Sequence, residues 1–152
     1  MTVQTDLALN NVLIDMARSF LQYVAESWPW VSPDGQSVEN QVLVIAERQR
    51  QDVADIAALL NEREHFIDFG SFPTEYTDLQ FIALEALFEP LHNSQATVLA
   101  SIANALEQAR TSGDTEAETL LTAIEIRQKE AAAALKELQQ ELDKQSGNAV
   151  KS

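Results

Sequence analysis

Apolar residues recur at steps of three and four along four stretches of the chain, and strand-like alternation persists nowhere over a useful length. The first stretch carries Leu9, Leu13, Met16, Phe20 and Tyr23/Val24 and predicts a helix over about 5–27. It stops at the turn-rich Trp28-Pro29-Trp30-Val31-Ser32-Pro33-Asp34-Gly35. The second, about 37–64, takes Ser37 as its N-cap and places Val38, Val42, Ile45, Ile56 and Leu59/Leu60 on one stripe. The third, about 77–110, opens with the capping box Thr77-x-x-Gln80 and the staple pair Tyr76 and Phe81. Its stripe runs through Leu84, Leu87/Phe88, Leu91, Val98/Leu99, Ile102 and Leu106, with a kink or short break expected near Ala86 to Glu89 because Pro90 follows. Gly113 is placed to end it as a C′ residue. The fourth, about 114–144, begins at Asp114 or Thr115, where Thr115-x-x-Glu118 is a second capping box. It carries Leu120/Leu121, Ile124, Leu135, Leu138 and Leu142, and residues 146–152 read as a frayed tail. The fold class is all-α: one domain, residues 1–145, forming a four-helix bundle.

Loop lengths choose the topology. The short connection Thr111 to Asp114 makes helices three and four antiparallel neighbours. Helix two should be ~40 Å long at 1.5 Å per residue. The connection from His65 to Tyr76 is twelve residues, and a chain of that length reaches ~40 Å when nearly extended. A long crossover between helices two and three is therefore expected. It would bring Phe72 and Tyr76 to Trp28 and Trp30, an aromatic end that plugs the bundle or offers a binding tip.

Three of the stripes are interrupted at mid-helix by polar residues. In helix two the spacing leads to Gln49 and Asp52, in helix three to Gln95, and in helix four to Gln128 followed by Ala131. Stacked side by side, these positions would meet at one level. One reading makes them ordinary partly exposed polar positions or a buried amide network that fixes helix register.

A second reading starts from the stretch Ala46-Glu47-Arg48-Gln49-Arg50-Gln51-Asp52-Val53-Ala54-Asp55-Ile56-Ala57-Ala58-Leu59-Leu60. It resembles the second helix of the ferritin-like superfamily, including bacterioferritins and rubrerythrins, in which Glu-x-x-His precedes Ala-x-x-Leu. Gln128-Lys129-Glu130-Ala131-Ala132-Ala133-Ala134-Leu135 is similar to that family's last helix. The resemblance implies a di-iron site at mid-bundle, built from a Glu on each of two helices and Glu-x-x-His on each of the others. Its Glu and His positions fall here on Gln49 and Asp52, on Gln95, and on Gln128 and Ala131. The first helix offers Asp15, Arg18, Ser19 or Gln22, and no Glu. Neutral amides do not supply the anionic oxygens a di-iron centre requires. The resemblance thus implies a ferritin-like bundle with degenerate metal-ligand positions.

Composition narrows the rest. Cysteine is absent, which excludes disulfides, thiolate metal sites and Cys nucleophiles. Acidic residues number 24 against 10 basic, a net charge of −14 that repels nucleic acid and anionic membrane surfaces. Met1 to Asn10 has no basic n-region, and no apolar run is long enough to span a bilayer, so a cytoplasmic protein is expected. Glu85, Glu89 and His92 share one helical face and form a weak metal-pair candidate, although such a face is usually solvated. No nucleophile turn or phosphate-cradling glycine loop is present. The expectation is a non-enzymatic scaffold or interaction module without cofactor, self-associating as a homodimer through a helix face or the aromatic end. The alternative is a divergent metal-binding ferritin-like protein holding iron or another divalent metal.

Overall fold

The computed structural model describes residues 3–27, 33–71 and 84–151. Its helices are α1 (Val3–Ala17), α2 (Phe20–Ser27), α3 (Gln36–Glu62), α4 (Leu84–Ser112) and α5 (Thr115–Lys151), with a 3₁₀ turn at Pro33–Gly35 before α3. The aromatic end (Trp28, Trp30, Phe72, Tyr76) and the capping box Thr77-x-x-Gln80 lie outside the described residues.

The expected first helix is divided. Ser19 donates its backbone N–H to the Met16 carbonyl, a tightened i−3 bond that ends α1. The Gln22 N–H donates to Ser19 Oγ at 3.4 Å, so Ser19 starts α2 as its N-cap. The freed N–H of Phe20 reaches across to Ser94 Oγ at 2.9 Å. No Gly or Pro marks this break; side-chain partners for the released amides make it tolerable.

Other helix ends also depart from expectation. Gly35, not Ser37, occupies the N-cap of α3, with no side-chain cap bond. Asp114 caps α5, its Oδ1 accepting the Ala117 N–H at 3.1 Å, while Glu118 turns instead to Arg110. Helix α4 runs unbroken through Pro90. Ala86, whose carbonyl loses its amide partner to Pro90, is exposed, so water can serve it. Helix α5 continues to Lys151, beyond the point where a frayed tail was expected. Helix α4 closes with the 6→1 bond from Asp114 N–H to the Ala109 carbonyl, with Gly113 left-handed at φ 70°. Helix α3 closes the same way, His65 N–H to the Leu60 carbonyl, but with Glu64 in the left-handed position at φ 56°.

Cross-helix bonds fix the topology. Asp6 meets Arg63 at 2.8 Å and Thr5 meets Ser112 at 2.9 Å, so α1 begins where both α3 and α4 end. Helices α3 and α4 are therefore parallel, and their connection has to travel the length of the bundle. Residues 65–71 begin that run along α1. The Asn10 amide holds Asp68 through two backbone bonds of 3.0 and 3.1 Å, and Arg18 Nε donates to the Phe69 carbonyl at 2.9 Å. Gly70 is left-handed (φ +66°), and a Cβ there would stand 2.8 Å from Ile14 Cγ2, so the segment needs glycine to lie this close. The fold is an all-α four-helix bundle, α1 and α2 together making its first arm, with a long crossover.

The core is in two parts. One contains Leu13, Met16, Ile56, Leu60, Ile102 and Leu121. The other contains Phe20, Val24, Val42, Phe88, Leu91 and Leu135. Every arm of the bundle contributes to both, and between them lies a polar layer.

Candidate functional site

The layer is assembled from all four arms. Gln49 and Asp52 sit three apart on α3, so both face inward one turn from each other. Gln95 comes from α4, Gln128 from α5, and Ser19 and Gln22 from the break between α1 and α2. All six are buried, none more than 3% exposed.

Gln49 is the hub. Its Oε1 accepts from Ser19 Oγ at 2.8 Å and from Gln22 Nε2 at 3.1 Å. Its Nε2 donates to Gln128 Oε1 at 3.0 Å and to Gln95 Oε1 at 3.3 Å. Gln95 Nε2 donates to Gln128 Oε1 at 2.8 Å and to the Gln128 carbonyl at 3.1 Å. Gln22 Nε2 also reaches the Ala46 carbonyl at 2.7 Å. The chain of donors ends on Asp52, whose Oδ2 accepts from Gln128 Nε2 at 2.8 Å and whose Oδ1 accepts from Arg127 Nε at 2.7 Å. No buried side-chain nitrogen or oxygen of these residues lacks a partner. A network satisfied throughout avoids the penalty of a buried unpaired polar group, about 1–3 kcal/mol apiece.

The electrostatics are neutral. Asp52 carries one negative charge, and the half-exposed Arg127 answers it, with Asp55 4.0 Å from the same guanidinium. A carboxylate-bridged di-metal centre needs several anionic ligands at this level. Here the corresponding positions hold amides whose donors and acceptors are already committed to each other. Among the described residues, no group of three or more Asp, Glu, His or Cys side chains is placed to hold a metal ion. The residues present do not fit a di-iron group.

The other candidates stand apart from the layer. His92 Nε2 bonds Gln139 Oε1 at 2.7 Å and its ring lies 6.1 Å from that of Phe88, which ties it to α5 as a packing residue. Glu89 is exposed, and the side chain of Glu85 lies outside the described residues.

Arg127 was not anticipated, since it lies one position off the α5 stripe. Arg63 was not anticipated either. At the end of the bundle where α1 and α5 begin, its guanidinium grips Asp114 through two 2.8 Å bonds, with Asp6 at 2.8 Å and Glu116 at 3.3 Å. The hydrogen bond from Arg63 holds the Asp114 carboxyl below the usual range despite burial, and Asp114 in turn raises the Arg63 guanidinium pKa. Only the acidic N-cap Asp114 gave a sequence hint of this ion cluster.

A four-helix bundle with one long crossover, its arms meeting in a polar layer at mid-height, defines the class. A family model described as the ferritin-like domain matches residues 7–144, and the chain belongs to that family. Among solved structures, two of an open pore ferritin from the hyperthermophilic archaeon Archaeoglobus fulgidus are similar to it. They are 16% and 17% identical with TM-scores of 0.72 and 0.67, and each alignment covers 94% of this chain and 87% of the other. A humanized archaeal ferritin is 16% identical, with a TM-score of 0.66 and coverage of 94% and 86%. A search of curated proteins gives no significant match.

Proposed function

We propose that this chain is a non-enzymatic member of the ferritin-like family, a helical scaffold or interaction module whose mid-bundle amide layer stands in place of a di-iron centre. One observation carries the reading: Gln49, Gln95 and Gln128 close a hydrogen-bonded ring with Ser19, Gln22 and Asp52, and the only carboxylate in it is matched by Arg127. A metal ion entering this layer would have to break committed amide bonds and would gain one charged oxygen donor group. Among the described residues no helix is long and apolar enough to cross a membrane, which accords with a cytoplasmic setting.

The test is iron handling. Purified protein is given ferrous iron without oxygen, desalted, and then exposed to air. The expected result is no stoichiometric iron after desalting and no ferric absorbance above a protein-free control. Stoichiometric retention or accelerated oxidation would overturn the proposal in favour of a divergent iron-binding bundle.

Self-association belongs to the same proposal. Val3 (70% exposed), Leu7 (52%) and Phe66 (84%) present apolar surface on α1 and the segment after α3, surface a homodimer would cover. Light scattering is expected to give twice the chain mass, and a monomer at high concentration would remove this part.

A further inference from the structure

The seam between α3 and α5 is open outside the layer. A cavity of about 340 Å³ lies there, with Gln49, Asp52 and Gln128 along its inner wall and Arg48, Arg127 and Glu130 beside them. A second hollow of about 320 Å³ shares Ile45, Arg48 and Ala134 with the first, and extends the trough past Val44 and Leu138. From Gln41 to Asp52 the trough follows α3 for roughly 16 Å at 1.5 Å per residue. Small side chains at Ala131 and Ala134 leave the seam unfilled. Val44 accordingly remains 53% exposed on its rim.

The end of the trough beside Asp52 carries two arginines, Arg48 and Arg127, with Glu130 also on its lining. Arg127 spends its Nε on Asp52, and one of its terminal nitrogens lies 4.0 Å from Asp55. Arg48 makes no ion pair among the described residues, although the chain carries net charge −14. Glu137 and Glu141 flank the far end. We propose that the trough binds an amphipathic monocarboxylate, with the head on Arg48 and Arg127 and the aliphatic tail along Ile45, Ala134, Leu138 and Val44. Guanidinium forks match a carboxylate in geometry and charge. An aliphatic tail asks no hydrogen bond of a helical wall whose backbone groups are already paired. The two glutamates at the far end disfavour a second anionic group, so the ligand has one head. The space is at the small end of ligand sites, about 300–1,000 Å³. The site is independent of iron chemistry: it needs the open seam and the two arginines.

Calorimetric titration with dodecanoate, below its micelle concentration, tests this. Dodecyltrimethylammonium is the control, with the same tail and a cationic head that a chain of this acidity would otherwise prefer. One dodecanoate per chain is expected, with the cation at least about tenfold weaker. Arg48→Gln should weaken dodecanoate about tenfold while Arg48→Lys, which keeps the charge and loses the fork, falls between Gln and wild type, and Ala134→Leu, which fills the seam, should abolish binding. Arg48 is exposed, so its variants are expected to keep the wild-type melting curve. Absent binding, a stoichiometry above one, equal or tighter binding of the cation, or undiminished binding to Arg48→Gln overturns the proposal. A wild-type dimer that dodecanoate leaves intact, with the trough protected from exchange, assigns the trough to a second copy and likewise overturns it.

Discussion

Gln128 Nε2 lies 2.8 Å from Asp52 Oδ2, and the polarity of the whole layer follows from that bond. A carboxylate only accepts, so Gln128 has to present its amino group to Asp52 and its oxygen to Gln49 and Gln95. Gln49 then offers its own amino group to Gln128 and its oxygen to Ser19 and Gln22. Asp52→Asn can present a donor instead and lets the amides reverse, while Arg127 loses its anion. Because Arg127 is half exposed, the loss is discounted to about 1–3 kcal/mol. Urea unfolding measures it, and an unchanged midpoint would count against Asp52 as the terminus of the chain.

Gln49→Leu removes the hub. It leaves the Ser19 hydroxyl without an acceptor and Gln95 Oε1 without a donor, and is expected to cost about 2–4 kcal/mol at the general rate of about 1–3 kcal/mol per unsatisfied buried group. Replacing Gln22, Gln49, Asp52, Gln95 and Gln128 together with Leu or Met should cost less than Gln49→Leu alone, since only the Ser19 hydroxyl then loses its partner in the layer and the half-exposed Arg127 can turn to solvent. Denaturant midpoints of the two proteins decide it; a fivefold variant that is the weaker of the two would show that the network supplies net stability.

The positions can be asked to hold metal. Gln49→Glu, Asp52→His, Gln95→Glu, Gln128→Glu and Ala131→His together supply most of a di-iron ligand set. The apo variant should melt lower than wild type, because like charges at one buried level repel and are desolvated. Cobalt or ferrous ions should then raise its melting temperature well beyond any effect on wild type. Equal responses in a folded variant would mean that these side chains do not converge on one metal.

Acid stability should report on the Arg63 cluster. The Asp114 carboxyl is held below its unfolded value by the Arg63 hydrogen bond, so its contribution is complete above about pH 4 and lost as pH falls through the depressed folded value. Asp114→Asn keeps an N-cap acceptor and removes the charge. Its unfolding free energy should fall less steeply between pH 4 and pH 2 than that of wild type. Parallel acid limbs would mean that the pair does not govern that region.

The bundle was legible because the apolar stripes of α3, α4 and α5 keep their spacing, and the polar layer was legible as the gaps in those stripes. Gln49, Asp52, Gln95 and Gln128 each occupy a position where a stripe demands a Leu or Ile. Arg127 was not legible, because a guanidinium reaches a core carboxylate from a position off the stripe. The break at Ser19 escaped because it lacks Gly and Pro and depends on a hydroxyl from α4 that only the fold supplies. Gly35 displaced Ser37 as cap, and Arg63 acquired acidic partners from α1 and α5 that are distant in sequence. Local signals mark periodicity and turns; partnerships across arms exist only once the arms are side by side.

The division of the core by a polar sheet of amides has a dynamic consequence. Apolar contact is non-directional and tolerates sliding, whereas hydrogen bonds across a boundary are made in one register or lost together. The half around Phe88 and Leu135 is therefore coupled to the half around Ile56 and Leu121 largely through directional bonds and helix continuity, and the first arm lacks even that continuity at Ser19. Amide hydrogen exchange should resolve the bundle into two opening units with different protection. Residues 20–27 of α2 should open with the first half, ahead of the α1 amides that precede them on the same arm.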